Sequence, residues 1–469
     1  MTTTGTDAVR PVEAPAADSV AGAGPARLSA RLRLGYASGS LVTGTFTTLP
    51  GLLLLPYLTD TLGVGAALAG AIVFVPKAWD AVLNPLVGRA SDRTRTRWGA
   101  RRPYVLCGGL ATALAFALTF AGLLPGTGGA WLTAGGYLLT ATAFAFFLVP
   151  YVAMPAELTD RHQDRVRLVG GRVAVIAVAA LVTGAAGPAL IDAGGGGLAG
   201  HRWVGVFGGL VIALGTVWVF TGTSGGSGSG GGGGGGGGRV GSRVPESEPS
   251  LRRQFAAARG NPPFMALLRC VIVQSVATGV LLAGAPYFAE HVLRDSSGVG
   301  ALVAAFVAPN LLTVPLWSRL RAGRHGYTVA SALFAAGCLL FLAAPVLPEG
   351  AVLLTMALAG TGHAGQLLFL YAMLPERIAK DAARTERRQA GVLSGLFSTG
   401  EGLGVALGPF LYGLVLQLCG YVSSGTGRAA EQTPTAELGM LAGFALVPAL
   451  ATALAVLLLR GYDRTDRPY

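Results

Sequence analysis

The sequence predicts an all-α membrane protein with twelve transmembrane helices arranged in two six-helix halves. Of its 469 residues, 52% are hydrophobic and only 12% are charged, which is about half the charged fraction of an average soluble domain. Two groups of long apolar runs fill most of the chain, and a glycine-rich segment separates them. A helix that spans a membrane needs about 20 mostly apolar residues. The composition therefore favours a polytopic membrane protein and argues against soluble folds.

Each half of the chain contains six apolar runs of sufficient length. Glycine and proline occur within them, as membrane helices tolerate. The first six are predicted at residues 34–58, 64–87, 103–125, 131–155, 170–193 and 203–223, and the second six at 264–289, 298–318, 328–347, 351–374, 391–419 and 437–460.

Polar segments set the expected domain boundaries. The N-terminal tail contains no apolar signal-peptide region, and the linker includes nine consecutive glycines, typical of a flexible coil. The predicted parts are a disordered cytoplasmic tail at 1–30, an N-terminal half at 31–223, a linker at 224–260, a C-terminal half at 261–462 and a second tail at 463–469.

The basic residues indicate an orientation. Of the 35 basic residues, only Arg202, Arg294 and Arg428 fall in loops on the side opposite the N-terminus, while Lys77 and Arg269 lie within helices. Positive charge accumulates in cytoplasmic loops. We therefore expect a multi-pass protein of the cell (cytoplasmic) membrane with both termini and the linker in the cytoplasm. The net charge of +12 follows from these loops, and no nucleic-acid partner is expected.

The inventory of motifs does not favour an enzyme. No GxSxG, HExxH or P-loop motif lies within the predicted membrane helices, and the four cysteines lack metal-binding spacing. We expect no cofactor and no metal.

An internal repeat relates the two halves. The predicted fourth helix ends in Tyr151-Val-Ala-Met-Pro-Ala-Glu157, and the tenth ends in Tyr371-Ala-Met-Leu-Pro-Glu376; a charged loop follows each. Matched six-helix halves are typical of transporters whose substrate site lies midway between the repeats.

The segment Trp79–Tyr104, Trp-Asp-Ala-Val-Leu-Asn-Pro-Leu-Val-Gly-Arg followed by an arginine-rich loop, closely resembles the second helix and following loop of the glycoside–pentoside–hexuronide:cation symporters. These are carriers of the major facilitator superfamily, and melibiose permease is a member. The segments Tyr57–Asp60, Pro150–Thr159 and Arg384–Gly391 extend the resemblance. It spans most of both halves and implies the major facilitator fold, with symport of a sugar or glycoside and a cation by alternating access.

Candidate ion-coupling residues are ionisable or polar groups inside predicted helices, where each charge is costly. Lys77, Asp80 and Asn84 share one face of the second helix. The resembling family usually has acids at the positions of Asp80 and Asn84. Asn84 can offer an oxygen to a cation but cannot release a proton. Asp80 is thus either a coupling residue or a structural charge paired with Lys77, and H⁺ coupling, Na⁺ coupling and uniport stay open. Glu401 of the eleventh helix is either a proton site or a structural pair, with Arg269 as one possible partner.

The sugar-binding residues of melibiose permease are not present at the corresponding positions of this sequence. It places Gly44, Leu148 and Val152 where melibiose permease holds its sugar with acids and a tryptophan. Hydroxyls in the first helix can line the cavity or bond their own backbone. The other cavity candidates can equally be loop charges or helix–helix hydrogen bonds. The full set of cavity candidates is Lys77, Thr43, Thr47, Tyr151, Arg172, Gln274, Asn310, His363 and Gln366.

A gating loop is predicted after the second helix. Its arginines can pair with an acid and with helix C-terminal carbonyls, locking two helices together, or they can enforce topology alone. Its candidate residues are Asp92, Arg93, Arg97, Arg101 and Arg102.

The predicted function is secondary transport of a small solute by a monomer in the lipid bilayer. The first alternative keeps the fold but carries a lipid-like or secondary-metabolite substrate by export or uniport, because apolar residues replace the sugar-binding ones. The second is a transport-dead membrane sensor or scaffold, supported only by Asn84.

Overall fold

The computed structural model describes residues 28–224 and 259–463, apart from 95, 97, 100, 160, 296–297, 321–322, 386–389 and 426–429. Within them, twelve helices of fourteen residues or more follow one another and no strand occurs. They are α1 Ala30–Pro56, α2 Ala66–Arg93, α3 Arg102–Thr119, α4 Gly126–Ala153, α5 His162–Ala193, α6 Gly197–Gly222, α7 Pro262–Tyr287, α8 Val299–Leu312, α9 Arg324–Leu340, α10 Glu349–Thr385, α11 Ala390–Leu418 and α12 Pro434–Leu458. The expected tail at 1–30 and most of the linker at 224–260 lie outside the described residues.

The twelve-helix all-α fold is confirmed, although the third, eighth and ninth helices end earlier than predicted. Eleven helices in the described part of the chain are long and apolar enough to cross a membrane, and α8 is a shorter apolar helix. The sequence predicted a continuous eighth helix over 298–318. Instead α8 ends at Leu312 and a separate turn covers Val314–Trp317. Pro315 explains the break, because it has no N–H with which to continue the helical hydrogen bonds.

Two helices extend furthest beyond their predicted apolar runs. Helix α5 begins at His162 rather than 170, and α10 continues past 374 to Thr385. The extra turns are polar and are stabilised by charge pairs, such as Lys380 Nζ with Glu376 Oε1 at 2.9 Å. Hydropathy locates only the apolar part of a helix, so these extensions were missed.

The first helix of each half ends in the same way. Helix α1 continues into a π-helical turn at Tyr57–Thr61, and α7 into one at Phe288–Val292. Prolines precede both turns, at Pro56 and Pro286. Shared local geometry at equivalent places supports the internal repeat, and π-turns are frequent at functional positions.

The helical bundle has two ends. The linker end is the one at which α6 ends and α7 begins, and the far end is the opposite one. Helices of the two halves pack against each other as α2 with α11 and α5 with α8, and α1 also contacts α7. These pairs decide which end of the bundle is closed.

Candidate functional site

Hydrogen bonds join the two halves at the far end. The Tyr421 hydroxyl donates to Asp60 Oδ1 at 2.5 Å, and the Ser424 hydroxyl donates to the Asp60 carbonyl at 2.8 Å. The Ser423 hydroxyl donates to the Val64 carbonyl, also at 2.8 Å. Asp60 is only 9% exposed. The far end is therefore closed by contacts that involve a buried acid.

Small residues allow helices of opposite halves to approach closely. A Cβ added to Gly70 of α2 would lie 2.8 Å from the Phe410 Cα of α11. A Cβ added to Gly413 of α11 would lie 2.4 Å from the Ala66 carbonyl oxygen. Both positions lie in the far halves of their helices. The α2–α11 contact thus continues the closure from the loops into the bundle.

Side chains nearer the linker end are exposed. Val152 of α4 is 44% exposed and Tyr371 of α10 is 48% exposed, and Thr47 in the middle of α1 is exposed as well. The contacts described above between the halves lie at the far end. The structure is thus closed at the far end, and we interpret the exposed side chains nearer the linker end as the border of an opening between the halves.

The polar face of α2 carries oxygens without partners. Asp80 Oδ1 and Asn84 Oδ1 are both buried, and neither has a hydrogen-bond partner among the described residues. The Lys77 ammonium forms no ion pair with Asp80 in the described part of the chain; its Nζ lies 3.8 Å from the centre of the Phe46 ring. Lys77 is still close enough to attract Asp80 electrostatically. A direct Lys77–Asp80 pair, one of the two readings of the sequence, is not what the structure contains.

Aromatic rings connect this face with the linker end. Phe46 stacks on Phe144 with centroids 4.1 Å apart, and Phe144 contacts Phe147 at 6.4 Å. Phe147 stacks on Tyr151 at 5.2 Å, and Tyr151 on Tyr36 at 4.9 Å. These five rings form an aromatic ladder along α1 and α4. Two cationic side chains lie against this ladder, Lys77 beside the Phe46 ring and Arg172 beside the Tyr151 ring.

The hydroxyls of the first helix divide into two groups. Thr47 donates to the carbonyl of Thr43 at 2.9 Å and is exposed, so it bonds its own helix while bordering the opening. Thr43 is buried, and its Oγ1 has no described partner. Gly44 faces α5, where an added Cβ would lie 2.6 Å from the Ala179 Cβ. The position that carries an acid in the resembling family is therefore filled here by α5.

Tyr151 is fully buried and belongs to the packing of the N-terminal half. Its hydroxyl donates to the Tyr36 carbonyl at 2.7 Å and lies 2.9 Å from Ser40 Oγ. It does not line the opening, contrary to the prediction, because α1 covers it. Arg172 lies with its Cζ 5.6 Å from the Tyr151 ring centre, and its buried Nε has no partner among the described residues.

Glu401 of α11 has a partner that the sequence did not reveal. The Tyr371 hydroxyl of α10 lies 2.8 Å from each carboxylate oxygen of Glu401. The expected alternative, Arg269, makes no ion pair with Glu401 in the described residues. The position of Tyr371 in the repeat, equivalent to Tyr151, was the only available signal.

Two predicted cavity residues are buried inside the C-terminal half. Gln274 and Gln366 exchange hydrogen bonds of 2.7 and 3.0 Å, and Gln366 also donates to Ser331 at 3.2 Å. The Tyr327 hydroxyl donates to Gln274 at 3.2 Å. Gln366 is fully buried. Their placement on the cavity wall was therefore wrong, since the two amides satisfy each other between helices.

His363 and Asn310 also lie among helices. His363 is buried, stacks on Phe306 at 5.2 Å and has Nδ1 3.5 Å from Thr278 Oγ1. The Asn310 amide donates to the carbonyl of Phe306 at 3.3 Å, while its Oδ1 is buried without a described partner. The prediction that His363 lines the cavity was wrong, because its ring fills a space between aromatic side chains.

The predicted gating arginines contact helix ends of the N-terminal half. Arg101 binds Glu157 at 3.2 Å and donates to the Ala153 carbonyl at the end of α4. Arg102 donates to the Phe220 carbonyl of α6 at 2.7 Å. These contacts stay within one half. The backbone of Asp92 and the exposed Arg93 form the last turn of α2, and Arg97 lies outside the described residues.

Comparison with known sequences gives a consistent result. The family model described as "MFS/sugar transport protein" matches residues 35–466. A glucuronide carrier protein homolog of Escherichia coli (strain K12) is 25% identical over 459 residues, covering 94% of each chain. A putative glycoside/cation symporter of the same organism is 24% identical and covers 94% of this chain and 93% of its own. An isoprimeverose transporter of Lactiplantibacillus pentosus is 22% identical, with 92% and 88% covered.

Solved structures share the architecture. A bacterial homolog of the human lysosomal transporter Spinster, inward-facing and unoccupied, superposes with a TM-score of 0.67 at 16% identity, covering 93% of this chain and 98% of its own. The xylose transporter of E. coli, partially occluded and inward open, gives 0.61 at 13% identity, with 94% and 99% covered. Both likenesses confirm the predicted fold.

Proposed function

Because the chain belongs to the MFS/sugar transport protein family and is therefore a transporter rather than an enzyme, we propose that it moves a sugar or glycoside together with a cation. The observation that carries the proposal is the asymmetry between the two ends of the bundle. The halves are bonded at the far end through Tyr421 and Asp60, whereas Tyr371 and Glu401 are accessible nearer the linker end. A carrier of this kind alternates by closing one end and opening the other.

The linker end is the cytoplasmic side in this proposal. All but five of the 35 basic residues belong to the tails, the linker and the loops and helix ends on that side, as the positive-inside rule requires of a cytoplasmic face. The conformation described is then inward-facing. The carrier resides in the cell membrane and acts as a monomer, since one chain contributes both halves, and it has no nucleic-acid partner.

The coupling cation binds at α2 in this proposal. Asp80 Oδ1 and Asn84 Oδ1 are one helical turn apart and buried, and neither has a hydrogen-bond partner among the described residues. Oxygen atoms of this kind are suited to a hard cation such as Na⁺. A proton could bind only to the Asp80 carboxylate. Lys77, held on the Phe46 ring rather than on Asp80, leaves the carboxylate free to take either ion. Beyond this ion, no cofactor or metal is required.

The test is solute counterflow in proteoliposomes, which needs no ion gradient. Purified protein is reconstituted with an unlabelled glycoside inside, and entry of the labelled glycoside is followed for a panel of glycosides and hexuronides. We expect transient accumulation of at least one member. Asp80→Asn is expected to keep counterflow while losing uptake driven by a cation gradient. Absence of counterflow across the panel would refute sugar transport.

A second candidate keeps the fold and changes the cargo. It is favoured by one observation: α5 fills the space beside Gly44, and the exposed Val152 on the opening is apolar. An apolar or lipid-like substrate suits such a wall. The same proteoliposomes, assayed with lysolipids and apolar natural products, separate this candidate from the first.

A further inference from the structure

We propose that the polar recognition site for the substrate lies in the C-terminal half, where Glu401 and Tyr371 bind hydroxyl groups of a sugar ring. The inference rests on the proposed function and places the polar site away from positions 44, 148 and 152, which correspond to the sugar-binding residues of melibiose permease. Its chemistry is that of a neutral, hydroxyl-rich ring.

Glu401 keeps free capacity to accept hydrogen bonds. The Tyr371 hydroxyl lies 2.8 Å from both carboxylate oxygens, but a single hydroxyl has only one hydrogen to donate. A carboxylate offers about four acceptor positions. Most of them stay available to donors that enter the opening, and substrate hydroxyls are such donors.

The pair is accessible from the opening. Tyr371 is 48% exposed and Glu401 is partly exposed. No basic side chain lies within ion-pairing distance of Glu401 among the described residues. Ionisable groups within membrane helices are rare and are usually retained for function. An accessible carboxylate whose only described partner is a neutral hydroxyl is suited to a ligand.

The N-terminal half cannot supply the equivalent acid. A side chain at position 44 would collide with Ala179, whose Cβ lies 2.6 Å from a Cβ built on Gly44. Leu148 and Val152 occupy the other two positions. Arg172 lies in that half beside the buried Tyr151 ring, and its Nε is itself buried. The acid available to a ring held between the halves is therefore Glu401 of the C-terminal half.

The broken symmetry of the repeat supports this assignment. Tyr151 and Tyr371 occupy equivalent positions, yet Tyr151 is fully buried with its hydroxyl bonded to Tyr36 and Ser40. Tyr371 instead reaches Glu401 at the opening. Packing alone would favour the same environment in both halves, so the exposed copy is the one available to a ligand.

The experiment measures half-saturation in counterflow for wild type, Glu401→Gln and Tyr371→Phe. A hydrogen bond to a charged group, once removed, weakens binding by roughly tenfold to a hundredfold. We expect a rise of about this size for Glu401→Gln and a smaller rise for Tyr371→Phe. The matched control is Glu376→Gln, which neutralises an exposed acid of α10 that pairs with Lys380 and is expected to leave half-saturation unchanged.

Deoxy analogues of the transported sugar identify the contact. If Glu401 binds a hydroxyl, deleting that one hydroxyl weakens transport by wild type but has little further effect in Glu401→Gln, as a double-mutant cycle requires.

Unchanged half-saturation in both Glu401→Gln and Tyr371→Phe overturns the inference, while wild-type counterflow preserves the proposed function. Restoration of wild-type kinetics by the exchange Arg172→Glu with Glu401→Arg also overturns it, because the two residues then pair with each other. Absence of wild-type glycoside counterflow overturns both proposals.

Discussion

Tyr421 of the C-terminal half donates its hydroxyl hydrogen to the Asp60 carboxylate of the N-terminal half at 2.5 Å. Burial, followed by the nearby charge of Asp60, raises the pKa of Tyr421 well above its ordinary value, so the hydroxyl stays protonated and remains a donor at every physiological pH. The bond joins residues 361 positions apart in the chain. It must break whenever the far end opens, so removing it is expected to shift the equilibrium between the two conformations.

Replacing Tyr421 by Phe is expected to shift the carrier toward the state that is open at the far end. The variant removes the donor and leaves a buried carboxylate with one partner fewer, a change of roughly 1.5–3 kcal/mol. Cysteine at Leu282, which packs against Gly51 across the halves, reports the shift through its rate of maleimide labelling. We expect labelling to accelerate about tenfold in a background without the native cysteines.

Tyr412→Phe is the matched control for that experiment. Tyr412 is also buried, but its hydroxyl donates to the Met440 carbonyl within the same half. Its loss is expected to lower stability without changing the labelling rate. Equal acceleration in both variants would mean that the far-end bond has no special role in closure.

Asn84→Asp is expected to strengthen cation dependence. The change places a second carboxylate one turn from Asp80, where the Oδ1 atoms of Asp80 and Asn84 are buried and have no described partner. Two adjacent carboxylates attract a cation more strongly than one carboxylate and an amide. Uptake measured against external Na⁺ and against pH should show half-activation at lower cation concentration. Unchanged cation dependence would place the ion elsewhere.

Gly44→Ala is expected to destabilise the N-terminal half. The added methyl group lies 2.6 Å from Ala179 Cβ and 3.0 Å from the Ile176 carbonyl oxygen, so α1 and α5 must separate. Overpacking of this kind costs about 1–3 kcal/mol and should lower the melting temperature in detergent. Gly402→Ala is the control, because nothing lies within 4 Å of its added Cβ. Equal melting temperatures for both variants would contradict the close α1–α5 packing.

Gln366→Leu is expected to reduce stability by about 1–3 kcal/mol while leaving half-saturation unchanged. The substitution leaves Gln274 without its reciprocal amide partner inside the half. Adding Gln274→Leu should recover part of the loss, because both polar groups are then absent. Thermal unfolding and counterflow measured on the same preparations check this, and a rise in half-saturation would return Gln366 to the substrate site.

The architecture was predictable from the sequence because hydropathy and length define membrane helices strongly. Eleven of the twelve helices are confirmed as apolar and long enough to span, while Pro315 shortened the eighth. The polar ends of α5 and α10 were missed because charge pairs, such as Lys380 with Glu376, stabilise helix outside the apolar run.

The site was harder to predict, because both faces of a membrane helix are apolar. Sequence alone therefore does not tell a cavity-lining polar residue from one bonded to a neighbouring helix. Gln274 and Gln366, 92 positions apart, satisfy each other, whereas Glu401 meets Tyr371 from another helix. Both pairings depend on helix rotation, which the hydropathy pattern does not encode.

The most direct test of symport is the cation flux that accompanies the sugar. Proteoliposomes with no initial ion gradient receive a glycoside that gives counterflow, and internal pH and Na⁺ are recorded for wild type and Asp80→Asn. We expect the glycoside to drive an inward movement of one cation in wild type and no cation movement in Asp80→Asn, although the sugar still exchanges. Sugar entry with no cation movement in wild type, or identical cation movement in both proteins, would contradict coupling at Asp80.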